Sequence, residues 1–230
     1  MSETPLFDQY SGSYDDDLNR ALAVTGADKE FYAEARIRWL ARCLATRHEQ
    51  PKRVLDYGCG IGSATPWINQ TFAPSEIVGV DVSSKSLEEA RQRNNVGPVR
   101  YATISDYQPA QSLDLAFCNG VFHHIPKPER AGALSYVRNA LRPKGLFAFW
   151  ENNPWSPATR YVMSRCSFDK DAETLSVLEA KRLLRAAGFE ILRYDFLFIF
   201  PNALRPLQFV EPALTKLPLG AQYQVLVRKP

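Results

Sequence analysis

The stretch Arg53-Val54-Leu55-Asp56-Tyr57-Gly58-Cys59-Gly60-Ile61-Gly62-Ser63-Ala64 reads as a strand, a glycine-rich turn and the start of a helix. Glycines let a backbone turn sharply and approach a ligand without Cβ clashes. The N-terminus of the helix that follows offers N–H groups and a partial positive charge. From here onward, short β-rich runs alternate with helical patterns, which predicts βαβ units and a mainly parallel sheet in an α/β fold. Strands are expected at Arg53–Tyr57, Ile77–Asp81, Val99–Ala102, Leu113–Asn119, Leu146–Glu151, Glu190–Phe200 and Tyr223–Arg228. Helices are expected near Ser63–Thr71, Ser84–Asn94, Pro128–Leu141 and Ser176–Ala187. Ser176 with Glu179 reads as a capping box for the last of these, and Gly188 as its terminating residue.

Upstream, Asp28 to Arg47 forms an amphipathic helix pattern in which Tyr32, Ala35, Trp39, Leu40 and Cys43 share one face. Two connections, Asn152–Leu175 and Pro201–Gly220, are longer than packing needs, and such loops often carry specificity. The second is rich in Pro and apolar residues; capping a pocket and covering the sheet are equally open roles for it.

The chain of 230 residues is 45% hydrophobic and 23% charged, with a formal net charge of +3. That describes one globular domain, residues 1–230, without a repeat or linker. The charge is too small, and Lys and Arg too dispersed, to argue for nucleic acid or a membrane surface. Met1 to Tyr10 lacks a signal pattern, and no apolar stretch approaches ~20 residues. Cys43, Cys59, Cys118 and Cys166 are widely separated, without metal-ligand spacing. The expectation is a cytoplasmic protein with reduced thiols and no bound metal.

Two carboxylates give the glycine turn a chemistry. Asp56 stands at the end of the first strand, where it would repel a diphosphate and attract a cation. Asp81 ends the next strand, at a distance that suits ribose hydroxyls in nucleoside-binding βαβ units. S-Adenosyl-L-methionine carries an ammonium, a sulfonium and a ribose but no phosphate, and meets both demands.

Val54-Leu55-Asp56-Tyr57-Gly58-Cys59-Gly60, Val78-Gly79-Val80-Asp81-Val82-Ser83, the segment Leu113 to Pro126 and Leu141-Arg142-Pro143-Lys144-Gly145 together resemble the class I S-adenosylmethionine-dependent methyltransferases. The resemblance runs from about Arg53 to Glu151, and more loosely through the final strands. It implies a Rossmann-like sheet of seven strands, only the last antiparallel, in residues 51–230, behind an N-terminal helical lid in residues 1–50. It also implies that Gly58, Cys59 and Gly60 line the methionyl end, with Asp81 on the ribose and Val82 beside the adenine. Ile104 and Ser105 fall near the adenine edge, where the family's usual acidic residue is absent or displaced to Asp106. Asn119 falls beside the methionine moiety. Phe7 to Asp15 looks like the lid entry of small-molecule members, with Tyr10 and Tyr14 closing over the cofactor.

Methyl transfer is an in-line displacement at carbon, and a hydroxyl acceptor needs a base. Of three histidines, His123 and His124 follow the fourth strand, facing the ligand end of such a sheet. Adjacent loop residues rarely point the same way, so one of them is expected at the active site. His123 is the candidate base and His124 a cofactor-pocket residue; holding the loop through the backbone is the competing role for each. Glu151-Asn152-Asn153 could orient an acceptor, or Asn153 before Pro154 could simply start a turn. Trp155, Tyr161 and Phe168 are candidates for an acceptor wall. His48 is expected to be exposed. The reading that results is methylation of a small-molecule acceptor, O-methylation ahead of N or C, with biosynthetic or polysaccharide-related acceptors suggested by resemblance. Two rivals are a nicotinamide-dependent oxidoreductase, from Gly58-x-Gly60-x-x-Ser63, and a non-catalytic partner that binds S-adenosylmethionine only to hold shape.

Overall fold

Along β1 (Arg53–Tyr57), Val54 turns to one face of the sheet and Leu55 to the other, and both are fully buried. A strand covered on both faces reads as a continuous apolar run, and this one does. The computed structural model describes residues 14–94 and 97–230. Among them β1 is flanked by β2 (Glu76–Asp81), β3 (Val99–Thr103), β4 (Leu113–Asn119), β5 (Leu141–Asn152), β6 (Glu190–Leu197) and β7 (Gln222–Arg228) in one seven-stranded sheet of order β3-β2-β1-β4-β5-β7-β6. β7 runs antiparallel to both its neighbours and the remaining pairs are parallel, as the sequence predicts.

Alternate residues feed two cores. Leu134 and Val137 of α5 (Arg130–Ala140) and Ala180 and Leu184 of α7 (Val177–Ala186) meet Leu55, Phe147 and Phe149 on one face. On the other, α2 (Lys29–Ala45) and α3 (Thr65–Phe72) set Ile37, Leu40, Leu44 and Ile68 against Val54, Leu115 and Trp150. Each such side chain, fully buried, contributes about 1.5–3 kcal/mol. α4 (Ser84–Arg93) adds a smaller cluster, Leu87 and Ala90 on Cys59 and Tyr101. α1 (Tyr14–Leu22) lies against α6 (Pro157–Arg165), with Ala21, Leu18 and Val162 around Cys166 and Phe168. No helix among the described residues is long and apolar enough to cross a membrane.

Helix ends follow local chemistry. Asp28 caps α2 by accepting from Phe31 N–H at 2.9 Å, and Ser176 and Glu179 form the expected capping box, with Gly188 at φ +81°. The buried stripe of α2 differs from the expected one: it is Ala33, Ile37, Leu40, Cys43 and Leu44, with Tyr32, Ala35 and Trp39 only half-buried. That stripe makes α2 part of the core layer rather than of a lid. α3 starts at Thr65 because residues 61–64 are still in the turn, and α5 starts at Arg130 after a 3-10 turn, Lys127–Glu129. β5 begins at Leu141, which pairs with Leu113 before the turn at Lys144 (φ +65°) and resumes pairing at Leu146. β6 stops at Leu197, short of the expected Phe200, because Phe198 takes a left-handed φ of +63°. The two long connections hold α6 with a 3-10 turn, Ser167–Asp169, and a 3-10 segment, Asn202–Val210, leading into α8 (Glu211–Leu214).

Gly220 fits where it does because its backbone lies against Leu197: a Cβ there would stand 2.3 Å from the Leu197 carbonyl oxygen. Gly132, within α5, has open space around the same position. Gly220→Ala is therefore expected to destabilise by about 1–3 kcal/mol, and Gly132→Ala to stabilise by roughly 0.5–1 kcal/mol. Urea denaturation of the two variants checks both signs.

Candidate cofactor and acceptor site

The strand order reverses between β1 and β4, and ligands of open α/β sheets bind at such a point, beyond the carboxyl ends of the strands. A cavity of about 470 Å³ opens there, a size ordinary for small-molecule sites. Asp56 near the end of β1 and Gly60 after it, Asp81 at the end of β2 and Val82 after it, Ile104 after β3 and Asn119 at the end of β4 line it.

Asp56 is buried, and its Oδ2 has no hydrogen-bond partner among the described residues. Burial, then the nearby Asp81, pushes its carboxyl up to about 7. Asn119 Oδ1 is a second buried acceptor without a hydrogen-bond partner among the described residues. Both orphans are acceptors, so this end of the cleft calls for a ligand rich in N–H donors, and an ammonium fits. Asp81 is held differently: its Oδ2 accepts from Gly60 N–H at 2.8 Å and its Oδ1 from Ser83 N–H at 2.9 Å. Those two bonds tie the first glycine turn to the N-terminus of α4. Gly60 sits at φ +51°, and a Cβ there would project into open space, which leaves its backbone bare toward the cavity. Cys59 stays a thiol, burial holding its pKa well above normal. Half-exposed Val82 and half-buried Ile104 offer apolar walls for a flat ring.

A second cavity of about 180 Å³ adjoins the first, and Ala33, Arg36, Ser63, Asn119, Gly120 and His124 line both. His123 faces only the second one. It is 3% exposed, with Nδ1 2.7 Å from Glu151 Oε2 and Nε2 3.5 Å from Asp169 Oδ1. Glu151 is wholly buried; its Oε1 accepts from Phe122 N–H at 2.7 Å. Burial alone would lower the His123 pKa, but Glu151 and Asp169 outweigh it and raise it; burial and His123 together lower that of His124.

Most of the sequence-predicted residues converge. Asp56, Gly58, Cys59, Gly60, Asp81, Val82, Ile104, Asn119 and His124 all line the first cavity. Ser105 does not: it is exposed, its hydroxyl 2.8 Å from Thr103 Oγ1 in the turn after β3, and Asp106 is exposed beside it. Tyr10 lies outside the described residues; Tyr14 opens α1, with its side chain outside them. The two histidines do not diverge: their ring centroids are 4.0 Å apart and both Nε2 atoms lie within 3.5 Å of Asp169. The expected absence of a metal-ligand group needs correcting for the same reason. His123, His124 and Asp169 bring ligand atoms within 4.8 Å of one another, a cluster invisible in linear spacing because Asp169 comes from the turn after α6.

Glu151 orients His123 rather than reaching the second cavity, and Asn153 is a turn former, accepting from Trp155 N–H and donating to Gly220 O. Trp155 and Tyr161 are exposed and line neither cavity; the inward face of α6 is Ala158, Thr159, Val162 and Met163, with Phe168 beyond it. His48 is exposed, and the four cysteines are free thiols. Sequence reasoning missed Lys29 and Arg36, which α2 presents to the second cavity; two polar residues interrupting the apolar stripe are the signal that was there to read.

Residues 54–145 match the methyltransferase domain family. The chain is 29% identical over 149 residues to trans-aconitate 2-methyltransferase of Escherichia coli (strain 55989 / EAEC), covering 62% of this chain and 58% of that protein. It thus spans less than two thirds of that relative's length. Among solved structures, an S-adenosylmethionine-dependent methyltransferase from Mesorhizobium loti superposes with a TM-score of 0.58 at 23% identity, covering 82% of this chain and 97% of that one. Magnesium protoporphyrin IX methyltransferase from Synechocystis, solved with bound SAH, gives 0.64 at 17% identity over 98% and 99% of the two chains. These last two likenesses establish the fold.

Asp56 generates a prediction about the ligand-free protein. Its pKa is raised from 3.8 to about 7 in the folded state. Its contribution to stability is then full below the unfolded value, shrinks between the two values, and is gone above about pH 7. Asp56→Asn is expected to remove that decline and to be more stable than the parent at pH 8 by roughly 1–4 kcal/mol, with little difference at pH 4. Denaturant titrations at the two pH values measure it, and parallel pH profiles for parent and variant would refute it.

Proposed function

We propose that the chain is a class I S-adenosylmethionine-dependent methyltransferase, a reading supported by the family match of residues 54–145, and that it methylates an oxygen of a small molecule held in the second cavity. The observation that carries the cofactor half of this reading is the buried Asp56 Oδ2 lining the first cavity, which among the described residues has neither a hydrogen-bond partner nor a Lys or Arg beside it. S-Adenosylmethionine, when bound, supplies a methyl group already activated on a positive sulfur, so the chain's own task is positioning.

Asp56 and Asn119 accept from the ammonium, Asp81 accepts from the ribose hydroxyls, and the backbone of Gly58, Cys59 and Gly60 lies along the methionyl chain. Val82 and Ile104 flank the adenine. Tyr10 and Tyr14, whose side chains lie outside the described residues, keep the role that the family resemblance implies, closing over the cofactor from the N-terminal side. His123 and His124 stand at the acceptor end. Lys29 and Arg36 on the same cavity support an acceptor that carries a carboxylate or another anionic oxygen. The Escherichia coli relative is by name a methyltransferase of trans-aconitate, which is in keeping with that preference. A dinucleotide is disfavoured, because its diphosphate would meet the Asp56 carboxylate.

Calorimetry with S-adenosylhomocysteine and with NADH tests the cofactor reading: the first is expected to bind and the second not. Asp81→Ala should weaken the first by about tenfold or more, the loss of hydrogen bonds to a charged acceptor. Acceptor-dependent release of S-adenosylhomocysteine across a panel of small carboxylic acids and alcohols tests the reaction; no release with any acceptor, cofactor still bound, would leave a binding protein instead.

A further inference from the structure

We propose that His123 Nε2, His124 Nε2 and Asp169 Oδ1 form a binding site for a divalent transition-metal ion of the Zn²⁺ type, with its remaining coordination position open to the second cavity. The donor set is two imidazoles and one carboxylate, which suits zinc and its neighbours and not the hard ions that prefer all-oxygen shells.

Two of the three donor separations fit that geometry, and all three ligand atoms lie within 4.8 Å of one another. With ligand bonds of about 2.0–2.2 Å, neighbouring donors on a tetrahedral ion stand about 3.4 Å apart. Asp169 Oδ1 is 3.5 Å from His123 Nε2 and 3.4 Å from His124 Nε2. These separations are long for hydrogen bonds, and among the described residues Asp169 Oδ1 makes none with well-formed geometry, although its side chain is only 6% exposed. Among the described residues, this buried carboxylate oxygen faces two imidazole nitrogens without a well-formed hydrogen bond to either.

The surroundings complete the pattern. Metal-binding histidines commonly give their other ring nitrogen to a carboxylate, which fixes the ring. His123 Nδ1 does this with wholly buried Glu151 at 2.7 Å. Glu151 and Asp169 place two carboxylates in one buried region, and among the described residues neither has a Lys or Arg within ion-pair distance. A divalent ion with two neutral imidazoles would balance those charges in place of a proton on His123. Three protein donors leave a fourth position, and all three residues line the second cavity, so an oxygen of the occupant there can take it. The site itself stands apart from the proposed methyl transfer; its access to an acceptor oxygen rests on that reading.

The full chain, stripped with EDTA and returned to chelator-free buffer, should take up about one equivalent of Zn²⁺ by calorimetry. Co²⁺ in its place should give the intense visible absorption of a tetrahedral centre. Asp169→Asn and His124→Gln leave the Glu151–His123 pair in place, and each should weaken Zn²⁺ binding by about tenfold or more. Cys166→Ser, next to the cluster, should leave it unchanged. Retained cooperative unfolding shows that the variants fold; should one fail, the other carries the comparison. No uptake by the parent chain, or equal uptake by parent and both variants, overturns the proposal. S-Adenosylhomocysteine binding is measured on the same samples: its failure alone would remove the methyltransferase reading and leave the zinc site standing.

Discussion

The helices that follow β1 and β4 leave the sheet on opposite faces, and the rest of the molecule is arranged around the gap this creates. α3 packs Ile68 into one core, and α5 packs Leu134 and Val137 into the other. Pairing between the two strands therefore ends at Asp56 with Phe117, and the chain beyond each must diverge. Core side chains reach only its edge, Tyr57 from one core and Phe117 from the other, and the space between them stays open. A cavity at this point follows from topology, and residue types near it decide only what it takes in.

Charge makes that choice, and the protein contains its own comparison. Asp195 is as deeply buried as Asp56, yet Arg193 grips both its oxygens at 2.6 and 2.7 Å, Lys216 adds a third contact and Trp39 a fourth. Burial alone would raise its pKa, but these cations hold it below the usual carboxylate range. Where a buried carboxylate serves the fold, cations from the chain stand against it. Among the described residues Asp56 has no Lys or Arg beside it, and it lines a cavity; Asp169 faces only the two imidazoles and lines the other. Leaving a buried acceptor unpaired costs on the order of 1–3 kcal/mol, more when charged, which a fold tolerates where a ligand supplies the missing donor.

What the sequence revealed follows the same division. Strand positions were legible because a doubly covered strand is apolar along its whole length, and the pairing of Asp56 with the glycine turn was legible because both lie in one short segment. Asp81, one βα unit further on, was within reach of the same reasoning. The α2 stripe misled because Tyr32, Ala35 and Trp39 share the spacing of the true stripe, offset by about one residue; only the position of the sheet distinguishes them. Glu151 was visible as a strand-end residue but not as the partner of His123, since parallel strands β4 and β5 are joined through a whole helix. Asp169 was beyond reach for a stronger reason. It lies in a loop whose path depends on α6 docking against α1, a long-range packing event that leaves no periodic trace.

The loop after β4 joins these elements into one device. Val121 faces the first cavity against Gly58, Phe122 is driven into the core beside Phe149, and the two imidazoles turn to the second cavity. A loop with such alternation is kept from shifting by two anchors: the fully buried Phe122 ring and the Glu151 carboxylate, which holds Phe122 N–H and His123 Nδ1 with its two oxygens. Slippage by one residue would expose the ring and strand the carboxylate at once. In-line transfer depends on angstrom-scale placement of two reactants. Here Asn119 and Gly120, at the start of that clamped loop, line both cavities, so the spacing between the two cavities is set on this side by the same buried glutamate that orients the histidine; under the proposed function, that spacing is the one between cofactor and acceptor.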